Sequence, residues 1–118
     1  MNLETLFTWA REEVGMILKV LPDDLKDAAA RCSVSYEDKP AAQEEIEEDV
    51  LGVFEGASML EEPSPEAMPQ IRIFVSNIWD YTERDEQDFR DEVCTTFLHE
   101  LGNYFGWDED EVAERGLD

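Results

Sequence analysis

Histidine occurs once in these 118 residues, cysteine twice, and lysine and arginine together only nine times against 31 aspartates and glutamates. Each scarcity excludes something. Cys32 and Cys94 stand far apart and outside any CxxC spacing, so neither a redox dithiol nor a cysteine zinc site is expected, and a reduced, cytoplasmic protein is the default. A formal net charge of -22 repels phosphate backbones and anionic membrane surfaces, which argues against nucleic acid and lipid as direct ligands. No apolar run approaches membrane-spanning length. The opening MNLETLFTWAREEVGMILKV interleaves Glu4, Arg11, Glu12, Glu13 and Lys19 with its apolar residues, so neither a secretory leader nor insertion is expected. The length suits one domain, residues 1–118, with one modest core.

What is present is periodicity of two kinds. Leu3, Leu6, Phe7, Ala10, Val14, Ile17, Leu18 and Leu21 recur at helical spacing behind an Asn2 cap, and Pro22 ends the run and opens a second short helix in PDDLKDAAAR. Cys32, Val34 and Tyr36 alternate with serines as in a half-buried strand, Val53 and Phe54 form a short strand between two glycines, and QIRIFVSN predicts a strand with Ile71, Ile73 and Val75 on one face. The acidic stretch EDKPAAQEEIEEDV reads as a mobile loop or a solvated short helix. From Thr82 or Asp85, either of which can cap, a long helix carries Phe89, Val93, Phe97, Leu101 and Phe105 at i+4 intervals, with Cys94 and Leu98 widening the apolar face. Helices and strands interleave too irregularly for a doubly wound sheet. The expectation is a compact α+β domain with a small mixed sheet packed on helices.

The long helix ends in TTFLHELGNYFGW. In HExxH, two imidazoles one turn apart hold a metal, and the glutamate between them works on a metal-bound water. Here the run is His99, Glu100, Leu101, Gly102, Asn103, so the second imidazole is replaced by an amide. His99 and Asn103, at i and i+4, project together on a side separate from the core stripe. Gly106 sits where a glycine can close a helix in the left-handed conformation and return WDEDE towards them. Asp108 and Glu111 fit a capping box for the final helix, which would occupy Asp108 and leave Glu109 freer to reach a metal.

The run FRDEVCTTFLHELGNYFGWDEDEV, preceded in order by LPDDL, LGVFEG and PQIRIFVSNI, resembles the small bacterial zincin-like metallopeptidases, or minimal zincins. The likeness extends from about Leu21 to Leu117 and is best in the last helix and turn. The resemblance implies a single zincin-like domain whose central helix carries the motif. It also implies His99 as the first zinc ligand, Glu100 as general base, Gly106 as the turn glycine and Glu109 as the acidic ligand, with Asp108 as the alternative. Asn103 occupies the second ligand position, where an amide oxygen suits harder cations better than zinc.

Three functions follow as expectations. The first is a metallopeptidase in which a weakly held zinc, or another divalent cation, activates water for Glu100, with Val53 and Phe54 offering an edge strand to an extended peptide. The second is a zincin-fold pseudoenzyme that binds a peptide or protein without cleaving it. The third is an acidic protein that engages a basic partner by charge alone.

Overall fold

A computed structural model describes residues 1–62, 64–107 and 109–114, without the side chains of Glu109, Val112 and Ala113. Helix α1 (Leu3–Val20) begins where its cap predicts, the Asn2 side-chain oxygen accepting the Thr5 N–H at 2.9 Å. Leu6, Ala10 and Val14 form its buried stripe. It stops at Leu21, which is extended because the ring of a following proline disfavours helical backbone. Pro22 then leads into α2 (Asp23–Ala29).

Strands β1 (Ser33–Glu37), β2 (Gly52–Glu55) and β3 (Gln70–Phe74) form one mixed sheet. β3 lies in the middle, parallel to β1 and antiparallel to β2. Register puts Val34, Ile71 and Phe54 in one cross-strand row and Tyr36, Ile73 and Gly52 in the next, both on the face under the helices. Ser35, Arg72 and Val53 form a row on the opposite face.

That second face is covered by the acidic stretch, which makes turns and bends and no helix. Arg72 anchors it with ion pairs to Glu37 and Glu44 at 2.8 Å each and Glu55 at 3.3 Å, its guanidinium 5.1 Å from the Phe74 ring. Hydrogen bonding to Arg72 holds the Glu37 carboxyl below its ordinary range despite partial burial. Asn77 completes the anchorage by donating its amide to the carbonyls of Glu48 and Val50, both at 2.8 Å.

β3 is shorter than its pattern suggests. Val75, expected to continue the strand, instead opens α3 (Val75–Tyr81). The reason lies in the neighbours: β1 last pairs at Phe74 and β2 at Ile73. Beyond these the Ser76 N–H still reaches the Asp38 carbonyl at 3.2 Å, but the strand pairing does not continue, and a helix satisfies the remaining groups locally.

α3 ends with Glu83 and Arg84 at φ 58° and 61°. The Glu83 N–H reaches the Asp80 carbonyl and the Arg84 N–H that of Trp79, the pattern usually closed by glycine. A Glu83→Gly variant is therefore expected to stabilise the protein by about 1 kcal/mol, since the left-handed conformation costs an L-residue about that much. Urea unfolding measures it. An unchanged or lower midpoint would contradict the strain.

Asp85, rather than Thr82, caps α4 (Glu86–Tyr104), accepting the Asp88 N–H at 2.9 Å. Phe89, Val93, Phe97, Leu101 and the following Phe105 are buried, as their spacing predicts. Cys94 and Leu98 are only half-buried. The buried face widens instead towards Thr96, Gly102 and Tyr104, because α4 packs against β2 as well as α1. Helix α5 (Glu109–Glu114) follows the turn after α4. No helix among the described residues is long and apolar enough to cross a membrane.

Candidate active site

β2 is an edge strand, and its backbone groups alternate in direction. Leu51 accepts the Phe74 N–H at 3.0 Å, so Leu51, Val53 and Glu55 direct their backbone groups to β3, while Gly52 and Phe54 direct theirs outward. α4 lies over β2 on the helix-side face of the sheet, with Thr96 and Glu100 above Gly52. Gly52 makes the approach possible: a Cβ there would stand 2.7 Å from Thr96 Cγ2 and 3.7 Å from Glu100 Cγ. A glycine inside a strand is a legible sign of close approach, although flanking turns are the simpler reading of LGVFEG.

Glu100 is half-buried where α4 meets β2. Its Oε1 accepts the Asn103 Nδ2–H at 3.0 Å, and the Phe54 backbone N–H nearby favours its charged form. Burial pushes its carboxyl above the ordinary range. The Asn103 hydrogen bond, the neighbouring His99 and the Phe54 N–H oppose that rise without cancelling it. A carboxylate so placed is a better proton acceptor than one in water.

His99 is half-buried and Asn103 exposed, one turn apart on the side of α4 separate from the Phe97 and Leu101 core stripe. The helix closes beyond them as the glycine predicts. Gly106 has φ 81°, its N–H bonds the Asn103 carbonyl, and the Trp107 N–H bonds the Gly102 carbonyl, both at 3.0 Å. That is a Schellman turn. Asp108 lies outside the described residues, as does its capping box with Glu111, and Glu109 begins α5 with its side chain outside them.

Phe54 and Val53 separate across the strand. The Phe54 ring faces the helices, 5.9 Å from that of Tyr104, whereas Val53 lies on the opposite face in the Arg72 row. The structure therefore brings Glu100, Asn103 and Phe54 together and leaves the Val53 side chain apart from them. The role of Asn103 as donor to Glu100 was invisible in the spacing, because i+3 neighbours on a helix can meet without any motif requiring it.

A zinc site of two imidazoles and an acid does not fit these residues. Among the described residues no three His, Cys, Asp or Glu side chains are grouped to hold a metal. The α4 donor set is one imidazole and a neutral amide oxygen, the Asn103 Nδ2–H being directed to Glu100. Zinc prefers imidazole, thiolate or carboxylate to a neutral amide oxygen.

No match is found among curated proteins. A family model described as zincin-like metallopeptidase matches residues 29–117, which take in the whole sheet, α4 and the turn at Gly106. The family in general implies zinc and peptidase-like chemistry, and the α+β architecture with its motif-bearing helix agrees with it. The chain belongs to the zincin-like metallopeptidase family.

Proposed function

We propose that this zincin-family chain receives an extended peptide along the outer edge of β2, over the last turns of α4, and that hydrolysis there is impaired. The observation that carries the reading is the Asn103–Glu100 hydrogen bond. It places a donor where the family's chemistry calls for a second imidazole, and it ties up the base. The Phe54 N–H, which favours the charged Glu100 carboxylate, is also the outward group of β2 that an incoming peptide carbonyl would pair with. An arriving strand competes with the Glu100 carboxylate for it, so binding and the state of the base are coupled.

One observation favours a working peptidase instead: Glu100 is retained in the base position, and burial raises its affinity for a proton. A quenched-fluorescence peptide library separates the two readings, with binding followed in parallel for wild type and Glu100→Gln. The expected result is that both bind peptides and neither hydrolyses them. Wild-type turnover that disappears in Glu100→Gln would establish the peptidase and overturn the impaired reading.

A further inference from the structure

We propose that the cavity beneath the β2–β3 connection binds the C-terminal residue of a peptide, its apolar side chain inside and its α-carboxylate on Arg31; this rests on the peptide-binding reading above. The cavity is about 390 Å³, walled by Ala57, Met59, Met68, Pro69 and Tyr104, with Arg31 and Glu61 as its charged groups. Tyr104 follows Glu100 by four helical positions, hence on the same side of α4 and about 6 Å further along it. Its ring packs on Phe54. The cavity therefore lies at the end of α4, beside the ring that packs on Phe54 and just past the end of β2.

Its lining selects for apolar groups of varied shape. Thioether side chains are flexible and polarisable and repack around different occupants. Met59 and Met68, which line it, are 43% and 60% exposed, apolar surface that an occupant would remove from water.

Charge identifies the rest of the ligand. Arg72 and Arg90 are each held by three carboxylates. Arg31, in a chain of net charge -22, makes no ion pair among the described residues. Glu61 is held back on the cavity wall, its Oε1 accepting the N–H of Ser58, another lining residue, at 3.2 Å. A guanidinium beside an apolar cavity matches an apolar side chain and a carboxylate borne on the same Cα. Only the last residue of a peptide offers that pair. Because the cavity lies where β2 ends, the peptide would run parallel to β2.

Fluorescence anisotropy tests this with a fluorescein-labelled alanine tetrapeptide ending in leucine, carrying either a free or an amidated C-terminus. The partners are the full chain, Arg31→Ala and Met68→Glu, both at exposed positions. Amidation and Arg31→Ala should each weaken binding by about tenfold, the worth of a charge-assisted hydrogen bond. The two should not add, since the amidated peptide has no carboxylate for Arg31 to hold. Met68→Glu should weaken binding of both peptides. Equal affinity for free and amidated peptides, or an Arg31→Ala loss equal for both, overturns the proposal while leaving the edge-binding reading intact. Failure of every peptide to bind overturns both. Octanoate displacing the probe as well as unlabelled peptide does would assign the cavity to free carboxylic acids and overturn it too.

Discussion

Asn103→His should bind zinc about a hundredfold more tightly than the wild-type chain. A structural zinc site is worth roughly 10 to 16 kcal/mol over four ligands, so one restored imidazole contributes about 3 kcal/mol. The gain has a second source: the exchange removes the Asn103 Nδ2 donor from Glu100 and places a ring nitrogen one helical turn from His99. Competition against a chromophoric chelator at neutral pH reads the affinity directly. Glu109→Ala and Asp108→Ala in the Asn103→His background then decide which acid serves as third ligand. Zinc affinity equal to wild type would mean that more than Asn103 separates this site from a metal centre.

The largest stability effect should come from a glycine outside the α4 motif, at the end of LGVFEG. Gly56 has φ 93°, and a Cβ there would lie 2.3 Å from the Met68 carbonyl oxygen and 2.8 Å from its carbon. Both atoms are backbone, in a hairpin closed by the Ala57 N–H on the Ala67 carbonyl at 2.8 Å. Neither can rotate away. Gly56→Ala should therefore cost about 3 kcal/mol, positive-φ strain adding to overpacking. Gly52→Ala should cost less, because its nearest obstacle is the Thr96 methyl at 2.7 Å, a side-chain atom able to turn. Gly15→Ala should stabilise by up to about 1 kcal/mol, being in a helix with nothing within 4 Å of the new methyl. Chemical denaturation of the three variants tests the order. Gly56→Ala proving the mildest would refute the hairpin geometry.

Both predictions draw on the two levels at which this protein can be read. The i+4 stripe from Phe89 to Phe105 is buried as its spacing requires, since a helix turns its residues by a fixed angle whatever surrounds it. Asn2, Asp85 and Gly106 close or open helices where expected, because a cap answers to unsatisfied backbone groups within four residues of itself. The family resemblance rests on the same short-range order of residues, and it covers the chain from position 29.

What depends on partners distant in sequence was not legible. Val75 joined a helix because the neighbouring strands ended, a fact of register rather than of its own branched side chain. The acidic stretch acquired an arrangement because Arg72, some 28 positions from Glu44, gathers three carboxylates on the outer sheet face. Glu100 was visible as a candidate base. Its contact with the Phe54 N–H needed β2 laid against α4, which needed Gly52. Local periodicity and capping chemistry thus determined the helices, the strand candidates and the motif. Only tertiary packing, where long-range contacts choose among locally equivalent conformations, decided that Asn103 donates to the base and that an Arg31-flanked cavity opens at the end of α4.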